Sequence, residues 1–217
     1  MPPTTRAPRS DGVATRKAIL EAAGHLIAEA GLAQAASKEI ATRAGVDIAS
    51  INHHFGNRAG LYQAVLAEAH RRLIDAEHLE QLAAATEPAE QKLKVLIRLL
   101  VQGGAMAPNW PLIVLAREVM APSAHLMALQ QEEVLPKLQR VLPILSELTA
   151  LPPDDPRLWR CLPSIAAPCA LFALAGKLDS PLTNRFAGAP AEVVVEHLFT
   201  FTMGGLAAIS RGPETGK

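Results

Sequence analysis

Aromatic residues make up only 4% of this chain, and it has just two cysteines. Ala and Leu dominate a composition that is 49% hydrophobic, with little of the aromatic and β-branched enrichment that sheets use. Strand-type alternation is also missing, so the expected fold class is all-α. Cys161 and Cys169 fall eight apart in one expected helix, roughly 12 Å along its axis, which is beyond the reach of an intrachain disulfide. A reducing cytoplasm is the simplest compartment for such thiols. Residues 1–17 are polar and rich in Pro and Arg, unlike a secretory signal. The longest uncharged run, Cys161–Gly176, has 16 residues and two prolines, and is expected to be too short and too broken to span a bilayer. The catalytic signatures GxSxG, HExxH, GxxxxGK[ST] and GxGxxG are absent, which argues against an enzyme and against a bound cofactor. Cys169, His125 and His197 sit singly in apolar stretches, where packed core residues are the ordinary occupants.

What the chain does have is concentrated in Ser37–Phe55, SKEIATRAGVDIASINHHF. This segment reads as two short helices, about 37–44 and 48–54, joined by a tight turn. Ala41 is small enough for the helices to cross closely. Gly45, four residues on, supplies the turn at a position that favours φ > 0. Ile51, six further, can pack back on Ile40 and Ala41. That spacing is the one a helix-turn-helix requires. Net charge is zero but unevenly spread: residues 1–72 carry nine Lys/Arg against six Asp/Glu, and residues 73–217 carry twelve against fifteen. A basic excess beside a helix-turn-helix suits a phosphate backbone.

The flanking residues resemble the TetR family of one-component transcriptional regulators. Thr15–Ala23 leading into Leu26-Ile27-Ala28-Glu29-Ala30-Gly31 is similar to the family's first helix and its AxxLIAExG-like ending. His53-His54-Phe55-Gly56-Asn57-Arg58-Ala59-Gly60-Leu61-Tyr62-Gln63-Ala64-Val65 is similar to its hHFxxKxxLhxAV segment. Gly45–Ile51, together with Arg117-Glu118-Val119-Met120 and Pro122-Ser123, further resembles the subgroup with a CecR-type (YbiH-like) C-terminal region. The resemblance implies three parts. Residues 1–14 form a disordered arm, in which Arg6 and Arg9 either touch DNA or belong to an untethered tail. Residues 15–72 form the DNA-binding head, and residues 73–217 a helical domain for effector binding and dimerisation. A dimeric repressor acting on near-palindromic double-stranded DNA and released by a small molecule is then expected. A ligand-independent or activating regulator, a helical adaptor and an enzyme are the rival classes.

The family's SKGxLYxHF pattern maps onto Asp47–Phe55 with departures: Ile48 stands for Lys, Ala49 for Gly and Asn52 for Tyr. Asp47 is expected to cap the second helix. Asn52 can read adenine through its amide, Ile48 and Ala49 can meet thymine methyls, and Ser50 is an unspecific reader. Lys38 is a candidate guanine or phosphate partner. His53, His54 and Arg58 are candidate backbone contacts, with Asn57 capping the helix that follows. Adjacent histidines point about 100° apart on a helix, and no acidic or thiol partner stands near them, so no metal is expected.

That following helix is expected to run on past Arg72 as a connector into the core. Met106, Trp110, Arg117, Met120, His125 and Met127 are candidate effector-pocket residues, with Leu126, Glu118 and Gln130 beside them; each is equally open to an ordinary core role. Pro136, Pro143, Pro163 and Pro168 fall inside expected helices, where they either shape a cavity or merely curve the rods. Leu158–Leu178 and Ala191–Ile209 are apolar on most faces and call for a partner subunit. Ala173, Leu174, Phe199, Met203 and Leu206 are the candidate dimer contacts.

Overall fold

The computed structural model describes residues 8–105 and 110–211, with side chains from Gly12 onward. Described elements are α1 (Pro8–Ala30), α2 (Ser37–Ala44), α3 (Ile48–Phe55), α4 (Arg58–Leu73), α5 (Ala76–Ala84), α6 (Ala89–Ala105) and α7 (Trp110–Met120). Then come α8 (Leu126–Leu129), a π-helical turn (Gln130–Val134), α9 (Leu135–Thr149), α10 (Pro156–Ala175), α11 (Thr183–Phe186) and α12 (Ala191–Arg211). No strand occurs among the described residues, and the fold is all-α as expected.

Two apolar cores organise the chain. The head core gathers Ile19, Ala23, Leu26 and Ile27 of α1, Ile40 and Ala41 of α2, Ile51 of α3, and Leu61, Val65 and Leu66 of α4. It is completed from far along the chain by Trp110 and Val114 of α7 and by Leu129. The second core packs α5, α6, α9, α10 and α12 around Leu93, Ile97, Leu145, Leu158 and Val195.

Three boundaries differ from the sequence expectation. α1 begins at Pro8, so residues 8–14 are helical rather than part of an arm; proline fits a first turn, where its fixed φ helps and its missing N–H costs nothing. Residues 1–7, with Arg6, lie outside the described residues. α4 stops at Leu73 instead of running on. Ile74 is extended (φ −147°, ψ 110°), and the Asp75 carboxylate accepts the Glu77 N–H at 2.7 Å to start α5; an N-cap there ends the old helix by beginning a new one. The third difference concerns length: α10 and α12 are each long and apolar enough to cross a membrane. Yet α10 buries Leu158, Cys161, Leu162, Ile165 and Cys169 against its neighbours.

The prolines are absorbed without a break in α9 or α10. Pro136 lies in the first turn of α9, immediately after the π turn. A residue with no N–H to give weakens the α pattern there, and the wider turn sits just upstream.

Trp110 of α7 anchors the head core. Its indole packs flat on Gly24 of α1, where an added Cβ would lie 2.4 Å from Cδ2, so only glycine admits the ring. The indole Nε1–H donates to Glu21 at 2.9 Å, and the Arg72 guanidinium lies 5.1 Å from the ring centroid. Arg72 also pairs with Glu21 at 2.6 Å and with Glu68 at 2.8 Å. Those bonds hold the Glu21 carboxyl below its usual range despite its partial burial.

Candidate nucleic-acid interface and effector cavity

The helix-turn-helix is built as its spacing requires. Gly45 closes α2 in the left-handed region (φ 68°, ψ 32°), its N–H reaching the carbonyls of Ala41 and Thr42. Asp47 caps α3, accepting the Ser50 N–H and Oγ–H, each at 2.7 Å. Both bonds lower the Asp47 pKa. Asn57 caps α4 by accepting the Gly60 N–H at 2.9 Å. Ile51 is buried with Ile40 and Ala41. Each cap satisfies donors that a helix start otherwise leaves open, which sets the angle at which α3 leaves the turn.

With Ile51 turned inward, the opposite face of α3 is exposed: Ile48, Ala49, Asn52 and His53 lie outward at helical i, i+4 spacing. Lys38 is exposed in the first turn of α2. His54 and Ser50 are half-buried, and the Ser50 hydroxyl is already engaged by Asp47. The two imidazoles stand edge to face, 5.3 Å apart. Arg58 departs from the expectation. Its guanidinium donates to the carbonyls of Leu32, at very short range, and Ala33, at 3.2 Å. It therefore ties down the α1–α2 loop, and the expected phosphate contact competes with that structural task.

The expected pocket residues do not come together. Trp110 is consumed by the head core. Met120 and Met127 are 85% and 67% exposed, and Arg117 is exposed beside them. Met106 lies outside the described residues. His125 stacks edge-on against Tyr62, 5.5 Å between centroids. Glu118 is not ion-paired with Arg117. It is buried, accepts Tyr62 O–H at 2.5 Å and takes both the N–H (2.9 Å) and the hydroxyl (2.7 Å) of Ser123. Burial and that carboxylate push the Tyr62 phenol well above its ordinary value.

Another set of residues does enclose space. One apolar cavity of about 170 Å³ is lined by His70 of α4, Ile74 just beyond it, Leu79, Leu96, Leu100, Val134, Lys137, Leu138, Val141, Leu162, Ile165 and Ala166. A second of similar size shares His70, Ile74, Leu100 and Ala166 and adds Leu73, Gly104, Leu112, Cys169 and Ala170. The polar edge is a pair: Lys137, 4% exposed, places Nζ 2.9 Å from His70 Nδ1 and 3.6 Å from Glu133. Burial, then the Lys137 charge, pushes the His70 pKa down to about 4, so its ring is neutral near pH 7. Burial lowers Lys137 as well.

Sequence reasoning missed this site, although a signal was there. Lys137 is a charge set among Val134, Leu138 and Val141, on a stripe that otherwise packs inward. Among the described residues no group of three or more His, Cys, Asp or Glu could hold a metal ion. The Cys169 thiol is raised to about 11 by burial.

The expected dimer contacts also need revision. Ala173 and Leu206 are buried within the chain itself, Phe199 and Met203 pack against its second core, and Leu174 is half-buried. Their neighbours point outward instead: Leu171 and Trp159 on α10, and Val193 and Phe201 on α12, are 59%, 40%, 57% and 74% exposed. An added Cβ at Gly204 or Gly205 of α12 would meet nothing within 4 Å.

A capped recognition helix on a small head, joined to a larger helical core, defines a helix-turn-helix transcriptional regulator. Residues 19–65 match the family model for bacterial regulatory proteins of the tetR family. Residues 89–206 match that for the C-terminal domain of the HTH-type transcriptional dual regulator CecR. The chain belongs to the TetR family, with a CecR-type C-terminal domain; it is a regulator and not an enzyme. None of the curated proteins matches it in sequence. Among solved structures, it is similar to a TetR-like transcriptional regulator from Rhodococcus sp. RHA1 (16% identity, 93% of this chain and 99% of that one, TM-score 0.66). Also similar are a TetR family regulator from Marinobacter aquaeolei VT8 (17%, 90% and 97%, TM-score 0.68) and the fatty acid degradation regulator FadR from Bacillus halodurans (24%, 87% and 98%, TM-score 0.64). At these identities the likeness concerns the fold.

Proposed function

We propose that two copies of this chain bind a near-palindromic operator as a cytoplasmic repressor, and that a small hydrophobic or amphipathic molecule in the core releases them. The observation that carries the reading is the outward face of α3, with Ile48, Ala49, Asn52 and His53 exposed opposite a buried Ile51. Asn52 is assigned to adenine, Ile48 and Ala49 to thymine methyls, and Ser50 to a minor contact. His53, His54 and Lys38 are assigned to phosphates, Lys38 helped by the open N-terminus of α2, where Ala36 offers no side-chain cap. A head of this size covers too little DNA for tight specific binding alone, so two heads about 34–36 Å apart should read two half-sites.

The exposed apolar faces of α10 and α12 support the dimer, with Leu171, Val193 and Phe201 as its contacts and Gly204–Gly205 leaving room for a close partner helix. Release acts through α4, which carries head-core residues Leu61–Leu66 at one end and cavity residues His70 and Leu73 at the other. The test is selection and sequencing of DNA bound to the purified protein, followed by gel shift with wild type and Phe201→Glu. Wild type should give a palindromic site and a dimer in sedimentation. Phe201→Glu should be a folded monomer that no longer shifts that site. A wild-type monomer that binds DNA tightly would refute the dimer, and an unstructured pool of selected sequences would refute specific readout.

A further inference from the structure

Resting on the reading of the core as the effector-binding part, we propose that the cavity takes a monoanionic amphiphile, an alkyl carboxylate or close relative, with its head group held by Lys137. The walls are almost wholly aliphatic: Leu96, Leu100, Val141, Leu162 and Ile165 offer no group that distinguishes one apolar ligand from another. Selectivity must therefore come from the polar edge. There an ammonium with three N–H donors is 4% exposed. One donor goes to His70 Nδ1 at 2.9 Å, and the nearest carboxylate, Glu133, is 3.6 Å away.

Glu133 is itself drawn elsewhere, because Arg71 holds its Oε1 at 2.7 Å. Lys137 is thus a desolvated cation whose charge is only loosely met within the chain. Burying such a charge without a close partner is costly, and a ligand carboxylate would supply both the charge and the missing hydrogen bond. A charged Lys137 ammonium can only donate, so His70 accepts through Nδ1 and carries its ring proton on Nε2. A cationic amphiphile would bring like charge against Lys137. A neutral one would fill the aliphatic space without relieving it.

The same contact offers a route to the head. Glu133 stands in the π turn and bridges Lys137 to Arg71 of α4, while Glu132 of that turn accepts from Gln63 of α4 at 3.5 Å. A ligand carboxylate on Lys137 takes over the partner that Glu133 shares, leaving Glu133 to Arg71 alone. The π turn is then free to reset against α4, the helix that carries the head.

The experiment is calorimetric titration of the full chain with decanoate and decyltrimethylammonium below their micelle concentrations and decanol below its solubility limit, on wild type, Lys137→Met and Lys137→Gln. Both variants are first checked for native helicity; Lys137→Gln keeps a donor for His70 while removing the charge. Wild type should bind decanoate at least tenfold more tightly than decanol, and the cation least. Both variants should lose that preference by about tenfold or more, with decanol affinity unchanged or raised. Decanoate bound equally by wild type and Lys137→Gln would overturn Lys137 as the anchor. Decanol matching decanoate on wild type would overturn the anionic class while keeping the cavity as a ligand site. Wild type that binds none of the three, yet still shifts its operator, would overturn this inference and leave the DNA-binding reading standing.

Discussion

In the head, the residues that fix the recognition helix lie between Ile40 and Gly60, and each acts on a partner a few positions away: Asp47 on Ser50, Asn57 on Gly60, Gly45 on Ala41 and Thr42. In the core, the cavity is assembled from His70, Leu96, Lys137 and Ile165, four helices whose residues meet only after the chain has folded. The head is thus a locally written object and the core a globally assembled one. Trp110 crosses that division, for it lies far along the chain yet completes the head's own core.

Substitutions can break that division. The largest effect is expected at Leu206, which is 3% exposed inside the second core. Leu206→Glu would bury an unpaired carboxylate and should cost about 3–5 kcal/mol, unfolding the core rather than merely separating a dimer. Denaturant titration followed by helicity should show the loss. A stable monomer from Leu206→Glu would return that residue to the subunit interface. Trp110→Ala should cost about 3–5 kcal/mol through the cavity it leaves, and should also loosen α1 against α7. If residues 15–72 are autonomous, hydrogen exchange in α1 will be unmoved by Trp110→Ala; protection lost at Ala22–Ile27 would show that α7 belongs to the head's cooperative unit.

What was legible in the sequence follows the same division. Ala41, Gly45 and Ile51 announced the turn because short-range sterics leave few residues able to fill those places. Asp47 and Asn57 announced helix starts for the same local reason. Composition settled an all-α core. The core cavity was not legible. Methionine and tryptophan content points toward adaptable apolar sites, but Met120 at the end of α7 and Met127 in α8 are exposed and Trp110 lies in the head core. Only the three-dimensional meeting of α4, α6, α9 and α10 makes the cavity. Arg58 misled for a related reason: its place at the start of α4 suits a phosphate, but the carbonyls of Leu32 and Ala33, far back in the chain, engage it first.

Smaller effects sharpen the contrast. Asn52→Ala should cost about 1–3 kcal/mol at the selected operator and little on random DNA. Equal losses on both would make Asn52 a non-specific contact. In the core, His70 provides a pH signature. Its folded pKa lies near 4 against 6.5 when free, so between those values the unfolded chain takes up a proton that the folded ring refuses. Stability should fall as pH drops from about 6.5 toward 4, and His70→Gln should flatten that slope. A slope unchanged by His70→Gln would place the acid sensitivity elsewhere.

The smallest effects separate two cations of the head. Lys38 is exposed at the start of α2, whereas Arg58 is spent on backbone carbonyls of the α1–α2 loop. If phosphate neutralisation belongs to Lys38, then Lys38→Ala should weaken binding to all sequences and make the slope of log K against log salt shallower by about 1, because one fewer counterion is released. Arg58→Ala should leave that slope where it is. It should instead lower thermal stability modestly, by about 0.5–1.5 kcal/mol for each hydrogen bond lost to the loop. Binding across a salt series and a melting curve for each variant suffice to decide. A shallower salt slope for Arg58→Ala, with its melting curve unmoved, would show that the guanidinium leaves the loop for the phosphate when DNA is present.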